Sequence, residues 1–190
     1  MSIVIVDSGG ANLTSIKNAF EKISSQAVVS IDENIISNAD YVILPGVGSA
    51  QMVMQSLISN NLVNVIKSLT QPVLGICVGM QILFNSSEEQ NCKCLGLIND
   101  DIKKFNLPND KAVPHMGWNK VIFESEQLLS NYYYFANSYY APITKDTTGI
   151  CEYGIEFSAT VQKDNFFGCQ FHPEKSSNSG IKFIQNFLNY

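Results

Sequence analysis

Positive charge is scarce in this chain. Lys and Arg together number 12 against 17 Asp and Glu in 190 residues, for a net charge of −5 and an isoelectric point near 4.9. That balance argues against chain-wide affinity for nucleic acid or an anionic membrane. No apolar run approaches the roughly 20 residues that a membrane helix needs. The short apolar run Ile3–Val6 has no basic residue before it, so no export signal is expected. Cysteine is sparse and odd in number, at positions 77, 92, 94, 151 and 169, and a chain of this length folds without disulfide staples. Cys92-Lys93-Cys94 has CxC spacing, but no second pair and no nearby His completes a zinc site, so no metal and no cofactor is expected. Linkers, repeats and low-complexity tracts are absent. These absences point to a reduced, cytoplasmic protein folded as a single domain over residues 1–190.

What is present is a core-forming composition, 45% hydrophobic and only 15% charged. The first half alternates short β-branched runs with helical stretches. Strands are predicted at Ile3–Val6, Val28–Ile31, Tyr41–Leu44 and Pro72–Ile76. Asn12 is placed to cap a helix whose apolar side is Leu13, Ile16, Ala19, Phe20 and Ile23; residues 49–69 read as one or two helices, and 78–86 as another. The second half is aromatic-rich, with short strands expected at Val113–Phe123, Tyr132–Tyr140, Gly149–Tyr153, Ser158–Gln162 and Phe166–Phe171. An amphipathic helix carrying Ile181, Ile184, Phe187 and Leu188 closes the chain. The expected architecture is α/β: a central, mostly parallel sheet flanked by helices, with an antiparallel β extension in the C-terminal half.

Three segments carry chemistry. In Gly75-Ile76-Cys77-Val78-Gly79 a buried strand ends at a cysteine with glycine two residues away on each side, the cysteine counterpart of the G-x-S-x-G nucleophile elbow. Small neighbours let the turn close sharply, and the sulfur falls at a helix N-terminus, where the amide dipoles favour thiolate. A buried structural cysteine is the bland alternative. The chain has two histidines. His172, in Phe171-His172-Pro173-Glu174, has a carboxylate two residues away that can fix its tautomer, whereas His115 has none within several residues; His172 is therefore the better base. Pro45-Gly46-Val47-Gly48 follows a strand and can turn backbone N–H groups into a crevice as oxyanion donors. It matches neither GxGxxG nor a Walker A loop, so nucleotide binding is not inferred.

PGVG (45–48), GICVGMQ (75–81) and FHPEKS (171–176) occur in the order found in the class I, triad-type glutamine amidotransferase family, which the chain resembles over essentially its whole length. DSGGANLTSIKNAF (7–20), PHMGWN (114–119), YFANSY (134–139) and ATVQKDNFFG (159–168) resemble the branch formed by glutaminase subunits of imidazole glycerol phosphate synthases. The resemblance implies that Cys77 attacks the carboxamide of L-glutamine, His172 relays the proton and Glu174 orients it. It implies oxyanion amides at Val47 and Val78, and glutamine contacts at Gly48, Gln81, Glu89, Ser138 and Tyr139. It also implies a heterodimer with a (β/α)8 synthase subunit that consumes the ammonia in histidine biosynthesis, with Asn12, Met116, Trp118 and Lys175 near the interface.

One position departs from the pattern: Asn137 stands where the family usually has histidine. Two other readings stay open at this point. A paralogous subunit would feed a surface-sugar amidotransferase, and a cysteine-elbow protein without glutaminase activity would serve as a redox or binding module.

Overall fold

The computed structural model describes residues 1–9, 12–23, 26–46, 48–107, 111–123 and 130–190. The chain runs β1 (Ile3–Val6), α1 (Leu13–Glu21), β2 (Ala27–Ser30), α2 (Glu33–Ser37), β3 (Tyr41–Gly46), α3 (Ala50–Ser59), α4 (Leu62–Ser68), β4 (Val73–Cys77) and α5 (Val78–Gln81). It continues through β5 (Ser86–Ser87), β6 (Cys92–Lys93), β7 (Asp101–Lys104), β8 (His115–Phe123), β9 (Asn131–Asn137), β10 (Tyr139–Tyr140), β11 (Thr147–Glu152), β12 (Glu156–Lys163), β13 (Phe166–Cys169) and α6 (Ser177–Phe187).

The main sheet has nine strands in the order β2-β1-β3-β4-β13-β12-β11-β8-β9. Pairings from β2 through β13 are parallel, and those from β13 to β9 are antiparallel. The change of direction follows composition. β1, β3 and β4 are buried essentially from end to end, as strands covered on both faces must be. β8 and β9 alternate buried and open positions, so one face is left outside. β13 is the hinge of the design, parallel to β4 on one side and antiparallel to β12 on the other.

Helices form where caps and apolar spacing agree. Asp32 accepts from the N–H groups of Asn34 and Ile35 to start α2, and Ser49 accepts from Met52 N–H to start α3. α1 buries Ile16 and Phe20, one turn apart. Asn12 does not cap α1 through its side chain; its amide is used elsewhere.

Two stretches differ from the sequence-based expectation. The helix predicted over 78–86 is a single turn, Val78–Gln81. It stops because the chain beyond it pairs elsewhere: Asn85 N–H donates to Asp100 O, while Ser86 and Ser87 pair with β6 and β7. The long strand predicted over Tyr132–Tyr140 is split, and its last two residues join β7 instead of β8. β10, β7, β5 and β6 thus form a separate four-stranded sheet.

Candidate active site

β3 and β4 lie side by side with Gly46 opposite Cys77, so their carboxyl ends share one rim. At that rim Cys77 has φ 55° and ψ −110°, a left-handed φ that costs a residue with a Cβ about 1–3 kcal/mol and persists only when its surroundings enforce it. The enforcement is a close crossing of β3 and α5. A methyl group on Gly79 would overlap the Leu44 carbonyl, so the first turn of α5 seats against β3 only with glycine there. Across the rim, Gly48 has φ 90°, a conformation suited to glycine.

The β13–β4 register sets the next component. Cys169 is opposite Ile76, which brings the following residue, Gln170, level with Cys77. Its Nε2 donates to Cys77 Sγ at 3.6 Å. Phe171 then turns into the core and stacks on Tyr133 with ring centroids 4.1 Å apart, and the chain emerges at His172. The imidazole's backbone is tied at both ends. His172 N–H donates to Tyr134 O at 2.9 Å, and its carbonyl accepts from Ser176 Oγ at 2.7 Å. Ser176 Oγ in turn accepts from Tyr134 N–H.

Pro173 opens a one-turn 3-10 helix, Pro173–Lys175, which folds Glu174 Oε1 back to 2.9 Å from His172 Nδ1. Asn12 Nδ2 donates to the same oxygen at 3.2 Å. Burial acts to lower the His172 pKa, but hydrogen bonds to Cys77 and Glu174 and the charges of both outweigh it and raise it to about 10. The ring is thus held as an acid–base group between a sulfur and a carboxylate.

Cys77 opens into a cleft of about 140 Å³ that is also lined by Gly48, Val78, Gln81, Glu89, Ala136, Asn137, Ser138 and Tyr139. All five residues expected to contact glutamine are among them; Val47 lies outside the described residues. Glu89 is anchored through Oε2, which accepts from Ala50 N–H at 2.8 Å. The Tyr139 carbonyl accepts from Gln81 Nε2 at 3.1 Å and from Asn137 Nδ2 at 2.9 Å. A separate, more apolar cavity of about 180 Å³ lies between α6 and the sheet, and none of Cys77, His172 and Glu174 lines it.

His115 is not among the residues lining this cleft, although it pairs with Asn137, which is. It stacks on Tyr153 and Phe135, with centroids 3.9 and 4.8 Å away. Burial and the charge of Lys111 push its pKa down to about 4. Met116 (66% exposed) and Trp118 (53% exposed) lie on the open side of β8. Trp118 meets Tyr134 edge-on at 6.2 Å, and Lys175 Nζ sits 5.7 Å above the same tyrosine ring. These side chains form one surface beside the His172–Glu174 turn. Asn12, expected at that surface, turns its amide inward to Glu174.

All five cysteines are free and buried. Among the described residues, no group of His, Cys, Asp and Glu could hold a metal ion, and no helix is long and apolar enough to cross a membrane.

The glutamine amidotransferase class-I family matches residues 4–189. The chain belongs to that family. It is 46% identical over 197 residues to imidazole glycerol phosphate synthase subunit HisH of Shewanella sediminis, covering 98% of this chain and 90% of that one. It is 45% identical over 198 residues to the subunit of the same name from Escherichia coli K12, covering 99% of each. Among solved structures, a crystal structure of a glutamine amidotransferase superposes with a TM-score of 0.77 at 14% identity, over 98% of this chain and 97% of that one. PurLQS from Thermotoga maritima gives 0.71 at 18% identity, over 100% and 97%. At these identities the superpositions speak for the fold alone.

Two elements of this amidotransferase escaped the sequence reading. Gln170 carried a signal, a polar residue inside the apolar run Phe166–Phe171, and a buried amide needs partners. The bond from Asn12 to Glu174 carried none, because it spans 162 positions.

Proposed function

We propose that this amidotransferase is the glutaminase subunit of an imidazole glycerol phosphate synthase in histidine biosynthesis. It hydrolyses L-glutamine to L-glutamate and ammonia within one domain. The convergence of Cys77, His172 and Glu174 on a cleft whose walls include Gln81 and Glu89 carries the glutaminase chemistry, and the 46% identity to a synthase subunit over 98% of the chain supports the choice of synthase.

The Cys77 thiolate attacks the side-chain carboxamide carbon, forming the S–C bond and an oxyanion that the backbone amides of Val47 and Val78 receive. His172, protonated and oriented by Glu174, gives its proton to the leaving nitrogen. The C–N bond breaks, ammonia departs and a γ-glutamyl thioester remains. His172 then takes a proton from water as the water oxygen attacks the thioester; the S–C bond breaks and glutamate leaves. Gly48, Gln81, Glu89, Ser138 and Tyr139 hold the glutamine.

Ammonia released into water would be largely protonated and lost to the next reaction, so the site works docked on the synthase subunit that consumes it. The exposed Met116, Trp118 and Lys175 beside the His172–Glu174 turn suit that docking, with Asn12 linking the face to Glu174. A cytoplasmic location accords with five unpaired cysteines.

The test is glutamate release from glutamine, with the chain alone and with the cognate (β/α)8 synthase bearing its ribulose-phosphate substrate. Strong stimulation by the loaded synthase, abolished in Cys77→Ala and lost through weaker docking in Trp118→Ala, is the expected result. Hydrolysis that no synthase stimulates would redirect the ammonia to another acceptor, such as a sugar amidotransferase. Turnover by Cys77→Ala would overturn the mechanism.

A further inference from the structure

The sulfur of Cys77 has a second polar neighbour besides His172. Gln170 is completely buried, and its Nε2 lies 3.6 Å from Sγ. An amide has an oxygen end and a nitrogen end of nearly equal shape, so what it offers the sulfur depends on what fixes its direction. Here a backbone carbonyl fixes it. The oxygen of Tyr139 can only accept, so the Gln81 amide turns its nitrogen toward it, at 3.1 Å. The same nitrogen donates its other hydrogen to Gln170 Oε1 at 2.9 Å. Gln170 is thereby held with oxygen toward Gln81 and its N–H toward sulfur. A reversed Gln170 would set two donors against each other and leave an oxygen facing the sulfur.

We infer that Gln170 is a further catalytic residue of this site, donating a hydrogen bond to Cys77 Sγ that favours thiolate over thiol, and that Gln81 is the positioning residue that keeps it donor-forward. The inference rests on the reading of Cys77 as nucleophile. It supplies what a long helix over 78–86 would have contributed: with α5 reduced to a single turn, the helix dipole at the sulfur is small, and the side-chain amide takes over the task. It also gives Gln81 two duties, lining the substrate cleft and orienting the group behind the nucleophile. The titratable and charged groups around the sulfur are His172 and Glu174 on the turn, Cys169 on β13, and Glu89 and Tyr139 in the cleft.

The experiment is the pH dependence of Cys77 alkylation by iodoacetamide in the full chain, read by mass spectrometry of the peptide containing Cys77. The thiolate displaces iodide, forming S–C as C–I breaks, so the rate follows the thiolate fraction. Gln170→Met keeps length and removes the donor. Its alkylation midpoint is expected about one pH unit or more above that of the unsubstituted chain, with about tenfold slower reaction at pH values below both midpoints. Gln81→Met, which releases Gln170 to reverse, is expected to shift the midpoint the same way by less. A purely structural role would leave both midpoints in place while lowering stability, and an unchanged midpoint in a folded Gln170→Met chain overturns the inference. Should Gln170→Met fail to fold, Gln81→Met decides by the same criterion. Glutamate release with the loaded synthase is scored separately: its absence in the unsubstituted chain would sink the glutaminase reading, whereas the alkylation midpoints judge Gln170.

Discussion

The two histidines of this chain are both buried, at 3% and 8% exposure, yet their proton affinities diverge. His115 lies in an aromatic cage and is pushed down to about 4, while His172 is raised to about 10. Burial penalises the cation at both sites; the difference is company. His115 has rings above and below, an Nδ1 without a hydrogen-bond partner among the described residues, and the amide of Asn119 at 3.4 Å from Nε2. His172 has a carboxylate at 2.9 Å and a cysteine on its other side. The imidazole assigned the acid–base role in the proposed mechanism is the one to which the fold commits other residues. Here those residues are Glu174, Asn12 and Ser176.

Replacing each histidine in turn separates the two environments. His172→Ala is expected to lower glutamate release about a thousandfold or more, while His115→Phe, which keeps a ring in the cage, leaves the rate near that of the unsubstituted chain. Comparable losses in both would erase the distinction. Glu174→Gln retains a hydrogen-bond partner but removes the charge. It is expected to reduce kcat about a hundredfold or more and to bring the His172 titration down toward its ordinary value, as a pH–rate profile would reveal.

Stability should carry the same signature on opposite sides of neutrality. His172 binds its proton more tightly folded than unfolded. Its stabilising contribution is therefore complete below its ordinary value of 6.5 and fades as pH rises through about 10. His115 has the reverse sign: folding favours its neutral form, so stability is lost as pH falls from 6.5 toward about 4. His115→Phe is expected to remove on the order of 2 kcal/mol of that acid-side loss, measured as urea midpoints across the range; an unchanged acid limb would contradict the cage's role. The smallest effect belongs to Asn12→Ala. It deletes one of two hydrogen bonds to Glu174 Oε1 and is expected to slow hydrolysis by less than about tenfold, with the KM for glutamine unaltered.

Legibility in the sequence tracks the distance over which each feature is decided. The buried strands Ile3–Val6 and Val73–Cys77 announce themselves as apolar runs, and the elbow and the His-Pro-Glu turn are local backbone devices whose residues lie within a few positions. The parallel half followed by an antiparallel half was likewise readable from the change in composition. The small second sheet was not, because strands of two residues, such as Ser86–Ser87 and Cys92–Lys93, have no period to detect. Residues 82–86 have enough apolar character to extend a helix, and only pairing with distant backbone diverts them. The alternate duties of Asn12 and Gln170 are of the same kind, fixed by contacts with Glu174 and Cys77 across 162 and 93 positions.

Because the chain has only two histidines, one experiment reads both environments. In a chain labelled with nitrogen-15 histidine, NMR titration should give one ring that stays neutral until about pH 4 and one that stays cationic to about pH 10, the latter falling sharply in Cys77→Ala. That outcome would establish the paired Cys77–His172–Glu174 unit. Two rings titrating together near 6.5, indifferent to Cys77→Ala, would contradict it.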